Sequence, residues 1–113
     1  MASTMKIERY GIYWVDLNPV IGAELAKIRP AVVISDDLMN RHLKTVVICP
    51  ITSTLHPAWR SRIVIECAGR AGEIAVDQIR TVSRQRLRQR IDQIEDADAE
   101  ELRRLIVEMY GVA

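Results

Sequence analysis

Residues 22–35 read GAELAKIRPAVVIS and pass from small and charged side chains through Arg29-Pro30 into an unbroken apolar run. A run as apolar as AVVIS has no face to give to solvent, so it reads as a strand buried on both sides. Pro30 fixes its own φ and pushes Arg29 into an extended geometry, which holds a cation rigidly where the strand begins. Upstream, GIYWVDL (residues 11–17) alternates Ile12, Trp14 and Asp16 against Tyr13, Val15 and Leu17, a strand pattern that Asn18-Pro19 breaks. The loop from there to Arg29 is about a dozen residues long, and loops of that length in compact domains are commonly functional.

Downstream, DDLMNRH predicts one helical turn with acids at its start, and TVVICPIT (residues 45–52) a third buried strand. STLHPAWRS is a second polar loop, RIVIECA a fourth strand and AGRAGE a glycine-rich turn. EIAV and QIRTVS continue the sheet, SRQRL reads as another helical turn and RQRIDQI as a last strand. From Asp96 the period changes: Leu102, Leu105, Ile106 and Met109 recur at helical spacing. Asp96 or Asp98 is placed to cap this helix and Gly111 to stop it. The expected architecture is one domain over residues 1–113, mainly β with a C-terminal α-helix, forming a small, mostly antiparallel barrel. Residues 1–5 read as a disordered extension, with Met5 an alternative start.

The 113 residues are 49% apolar and 27% charged, a balance that excludes a disordered chain. Phe is absent, so Ile, Val and Leu carry the core. Cys49 and Cys67 both sit in apolar runs and read as buried free thiols, which suits a reducing cytoplasm. No stretch has the length and apolarity of a membrane-spanning helix, and MASTMKIERY lacks the apolar middle of a signal peptide. A cytoplasmic location follows as an expectation. The net charge of +1 hides a division: residues 60–90 carry eight arginines against three acids, and residues 91–113 two arginines against seven acids. Arg84, Arg86, Arg88 and Arg90 read equally as a phosphate-binding tract or as the solvated side of a strand.

Walker loops, dinucleotide fingerprints, paired CxxC and HExxH motifs are all missing, and no metal or other cofactor is expected from the ligand spacing. What remains is a set of polar residues at the ends of buried strands: Arg29, then Thr52, Ser53 and Thr54, then Asp77, Gln78, Arg80 and Thr81. Strand ends in a small barrel converge on one rim. Arginine, threonine, aspartate and glutamine offer donors and acceptors suited to a phosphodiester. Singly, each has a plainer reading as an ion-pair partner, a turn residue or a turn cap.

The segments VDLNPVIGAELAKIRPAVVIS, CPITST and AVDQIRTVSRQRL together resemble the MazF/PemK toxins of bacterial toxin–antitoxin pairs, over residues 10–109. The D-x-x-P-x-x-G-x-E-x-x-x-x-R-P run and the D-Q-I-R-T segment are the most specific parts. The resemblance implies a partly open SH3-like barrel acting as a homodimer. It also implies a sequence-specific, metal-independent endoribonuclease that cleaves single-stranded RNA through the RNA's own 2′-hydroxyl, leaving a 2′,3′-cyclic phosphate and a 5′-hydroxyl. Arg29 matches the family's catalytic arginine, Thr52 its catalytic threonine, and Asp77 the base of one branch. That branch pairs its aspartate with an arginine two positions earlier, where this chain has Ala75. Glu24 matches a usual glutamate, whereas Leu25 stands where a glutamine often follows. RNA contacts are expected from Glu24, Leu25 and Ser53, from His56, Trp59, Arg60 and Arg62 in the second loop, and from Gln78 and Arg80. Trp59 reads equally as a base-stacking residue and as a core or interface aromatic. The implied partner is an antitoxin whose disordered acidic segment covers the RNA site.

Two other function classes fit the same fold. One is a non-enzymatic gyrase poison of the CcdB type, for which Tyr110-Gly111-Val112 supplies an aromatic-glycine-aliphatic terminus. The other is an inactive SH3-like interaction module.

Overall fold

A computed structural model describes residues 5–111. Strands β1 (Gly11–Asp16), β2 (Ile28–Val33) and β3 (Thr45–Thr52) are joined by the long loop and by the short helix α1 (Asp37–His42). Strands β4 (Arg62–Cys67), β5 (Arg70–Ala75), β6 (Arg80–Ser83) and β7 (Leu87–Gln93) follow, and helix α2 (Asp96–Tyr110) closes the chain. All pairings are antiparallel, in the order β4-β5-β3-β2-β1-β7 with β6 on β3. The sheet curls into the expected half-barrel with its C-terminal helix.

The apolar runs of β1 to β3 are explained by two cores, one on each face. Ile12, Val32 and Cys49 point into a cluster with Ile51, Ile63 and Ile74, capped by Leu102 and Leu105 of α2. Their neighbours Tyr13, Ala31, Val33 and Ile48 point into a second cluster with Val15, Leu17 and Leu87. Alternate residues thus serve opposite cores, which leaves no polar face to read in the sequence.

Several boundaries differ from expectation. Strand β2 begins at Ile28, so Arg29-Pro30 lies inside the ladder, with Pro30 opposite Trp14. The turn predicted over AGRAGE is only Ala68-Gly69, both at positive φ, which is the two-residue hairpin geometry matched to strand twist. Helix α2 takes Glu95 as N-cap without a side-chain bond, and Asp96 and Asp98 lie in the first turn, where their charges favour the helix dipole. Met109 stays partly exposed at 37%, outside the stripe of Ala99, Leu102 and Leu105. Gly111 does end the helix, at φ −73 rather than a left-handed angle; a Cβ there would meet the Val107 carbonyl oxygen. Of the supposed extension, Met5 packs against the second core and accepts a hydrogen bond from Arg84, while residues 1–4 lie outside the described residues. Among the described residues no helix is long and apolar enough to cross a membrane.

Candidate functional site

Pro30 and Pro50 have no N–H to give to a ladder. The β2–β3 pairing runs inward from Val33 opposite Ile48 and stops at Ala31 opposite Pro50. Beyond that pair β2 keeps only β1, with Arg29 opposite Val15, while β3 turns to β5, with Thr52 opposite Glu73. A cavity of about 600 Å³ opens where the two strands part. Arg29 lines it from one side, Thr52 and Ser53 from the other. The Arg29 Nε donates to the Ala26 carbonyl at 2.7 Å, which aims the guanidinium and leaves its terminal nitrogens free of other bonds among the described residues. Thr52 is buried, and its hydroxyl oxygen accepts the Thr54 N–H at 3.1 Å. Lys27 and Arg70 bring two more cations to the walls, and among the described residues no acidic side chain lines them.

The long loop is held from below rather than left open. Its base closes through Leu17 N–H to the Lys27 carbonyl and Lys27 N–H to Asn18 Oδ1, and Glu24 accepts the Ile21 N–H at 2.9 Å. Gln78 Oε1 accepts the Leu25 N–H, and Arg80 donates to the Leu17 carbonyl at 3.2 Å. Arg86 donates to the carbonyls of Asp16 and Asn18, and Arg84 to those of Asn40 and Met5. Arg88 lies 3.7 Å from Asp16, and Arg90 2.7 Å from Glu8. The four arginines are therefore engaged by the protein's own acceptors, with Arg88 the most exposed of them. Arg84 and Arg86 clamp carbonyl groups of earlier segments, and Arg88 and Arg90 pair with acids. Glu24, Leu25, Gln78 and Arg80, expected as RNA contacts, meet around this loop and not in the cavity.

Asp77 and the second loop form a separate cluster. Arg62 Nε donates to Asp77 at 2.8 Å, and its terminal nitrogen lies 3.4 Å from Glu73, a carboxylate with no solvent exposure. Glu73 also accepts the His56 N–H at 2.7 Å, so one buried acid anchors the loop at both ends. The rings of His56 and Trp59 stack at 3.9 Å, and the Arg62 guanidinium lies 4.7 Å from the Trp59 ring. Trp59 is half exposed, which places it outside the core. Arg60 pairs with Glu108 of α2. Burial raises the Asp77 carboxyl, but hydrogen bonds from Arg62 and Ser61 outweigh it and hold the group below the usual carboxylate range. The guanidinium that position 75 lacks reaches Asp77 from Arg62, which stands opposite Ala75 in the ladder.

Both cysteines are free and buried, and burial, then the Asp77 charge, pushes Cys49 up to about 12. A thiol so protonated is no nucleophile. Tyr110 donates its hydroxyl to the Val76 carbonyl at 2.8 Å and Gly111 caps α2, so packing accounts for these two residues; Val112 lies outside the described residues.

The model for the PemK-like, MazF-like toxins of type II toxin–antitoxin systems matches residues 8–110. The chain belongs to this toxin family. Among related sequences, the endoribonuclease EndoA of Bacillus subtilis is 35% identical over 97 residues, covering 81% of this chain and 84% of its own. The endoribonuclease MazF of Staphylococcus saprophyticus is 30% identical over 105 residues, 88% of each chain. The fold matches crystalline MazF of Deinococcus radiodurans at a TM-score of 0.85, with 21% identity, covering 96% of this chain and 99% of that one. A mycobacterial endoribonuclease solved with its cognate antitoxin matches at 0.79, with 18% identity over 95% and 97%.

Within this toxin fold, four residues escaped the reading of the sequence. Glu73 is an acid inside the apolar run GEIAV, a signal that demands a buried partner. Trp14, Lys27 and Arg70 line the cavity from three different strands or loops, and no local pattern ties them together. Among the described residues no group of His, Cys, Asp and Glu has the arrangement of a metal site.

Proposed function

We propose that the chain is the toxin of a type II pair: a sequence-specific endoribonuclease that cleaves single-stranded RNA, halting translation in the cytoplasm. The observation that supports this reading best is the meeting of Arg29 and Thr52 in one cavity to which the described residues bring cations and no acids. Such a cavity attracts a polyanion and favours charge that develops on phosphorus. The substrate's 2′-oxygen attacks the adjacent phosphorus as its proton passes to solvent water, and the 5′-oxygen leaves with the bonding electrons and takes up a proton from water. A 2′,3′-cyclic phosphate and a 5′-hydroxyl result, with no metal required. Arg29 holds the scissile phosphate and stabilises the leaving oxygen; it acts by charge, since a guanidinium does not give up its proton. The Thr52 oxygen already accepts a backbone N–H, so its own proton is available to a phosphoryl oxygen.

Asp77, read as a base from the sequence, is assigned here to holding Arg62 and the second loop. A carboxyl held below its ordinary range is a weak proton acceptor at neutral pH. Asp77→Asn should keep cleavage within about tenfold of wild type, whereas a lost general base costs about 10²–10⁴. Its stabilisation is present above the ordinary carboxylate value and disappears as pH falls through the lowered folded value. Melting curves of the two proteins should therefore differ at neutral pH and converge in acid. A large cleavage loss without that convergence restores Asp77 as the base.

The working form is a homodimer, and the partner is an antitoxin whose acidic, disordered segment folds over the cation-lined cavity. That segment and RNA should compete in titration; simultaneous independent binding contradicts the shared site. Purified protein should cut single-stranded RNA and leave gyrase supercoiling untouched. Inhibited gyrase with intact RNA would reverse the assignment.

A further inference from the structure

The hairpin between β4 and β5 is built to hold its tip still. Ala68 and Gly69 at φ 50 and 81 make the tight turn, and the Ala68 N–H donates to Asp92 of β7 at 2.8 Å. Arg70 is the first residue past that turn, opposite Cys67 in the ladder, and it lines the same cavity as Arg29. No ion pair involves Arg70 among the described residues, so its charge is uncommitted on a rigid mount. From β1, Trp14 stands opposite Pro30 with 37% of its surface exposed, and its side chain also lines the cavity. An exposed indole on a strand is costly to keep in water unless something covers it. Ile28 and Ile91 extend the apolar wall beside it.

We propose that Arg70 and Trp14 form a subsite for the nucleotide adjacent to the scissile bond, the guanidinium on a backbone phosphate and the indole against the base. The assignment rests on the cavity being the RNA site. It adds that two residues from opposite walls, neither part of the Arg29–Thr52 pair, fix the strand's path across it. Every base has a π-face, so the Trp14 contact supplies affinity and little sequence discrimination, which falls to other positions.

The two contacts leave different signatures in the binding of a random-sequence, fully 2′-O-methylated single-stranded oligonucleotide pool, which lacks the attacking hydroxyl and is not consumed. Affinity is measured against potassium chloride concentration. Arg70→Ala should flatten the slope of log K on log salt by about 0.7, the counterion release of one single-strand phosphate, and Arg70→Lys should restore it. Trp14→Ala should weaken binding about 5- to 150-fold at every salt with the slope unchanged, and Trp14→Phe should recover most of that loss. A merely structural role would not split the two variants in this way. An unchanged slope in Arg70→Ala, or equal affinities for Trp14→Ala and Trp14→Phe, overturns the subsite while wild-type binding keeps the RNA reading intact. Wild type that fails to bind the pool overturns both.

Discussion

Arg29→Ala should lower the rate of RNA cleavage by about 10²–10³ while leaving the melting temperature within a degree or two of wild type. The first figure is the usual cost of removing one preorganised charge stabiliser from a transition state. Arg29 is well placed for that work: its backbone sits in the β1–β2 ladder opposite Val15, and its Nε is tied to the Ala26 carbonyl. The side chain therefore loses little freedom when the phosphate arrives. The small effect on stability follows from the same geometry, because the guanidinium makes one hydrogen bond, to a carbonyl within its own loop, and no ion pair among the described residues. Arg29→Lys should fall between the two, since an ammonium keeps the charge and loses the bidentate fork. Wild-type cleavage by Arg29→Ala would remove the cavity from consideration as the active site.

The largest stability effect should come from Arg62→Met. Its side chain is 6% exposed and faces Glu73, which is 0% exposed. Removing the cation leaves a buried carboxylate without its counter-ion, a change that costs about 3–5 kcal/mol. For a domain of this size each kcal/mol lowers the melting temperature by about 4–8 °C, so the loss should be plain in a thermal scan. The double variant Arg62→Met, Glu73→Leu should recover much of the deficit, because a well-packed apolar pair replaces a buried ion pair at little cost. Asp77, on the exposed side of the same guanidinium, contributes little to this difference. A single variant as stable as wild type would mean that the Arg62–Glu73 contact contributes nothing to stability.

The strands and the closing helix were legible because their signals are local. AVVIS and TVVICPIT are too apolar for any surface, and Leu102 and Leu105 recur at helical spacing. Arg29 and Thr52 were legible as polar residues at strand ends, and the β2–β3 divergence at Pro30 and Pro50 explains why they meet. What the sequence hides is long-range. Arg84 and Arg86 look alike in SRQRLRQR, yet each binds carbonyl groups far away in the chain, Arg84 those of Asn40 and Met5 and Arg86 those of Asp16 and Asn18. Trp14, Lys27 and Arg70 become neighbours only once the sheet curls. Asp77 shows the same limit in reverse: its motif points to a base, but Arg62, from the facing strand, holds its carboxylate.

In the proposed mechanism Arg29 and Thr52 promote attack by the substrate's own hydroxyl. Digesting a long single-stranded RNA with wild-type protein in excess chelator, then mapping both ends of every fragment, tests it most directly. The expected result is a short repeated sequence at the cuts, 5′-hydroxyl and 2′,3′-cyclic phosphate ends, and cleavage slowed by about 10²–10³ with Arg29→Ala. Intact RNA, 5′-phosphate ends, or the same cuts at the wild-type rate from Arg29→Ala would overturn it.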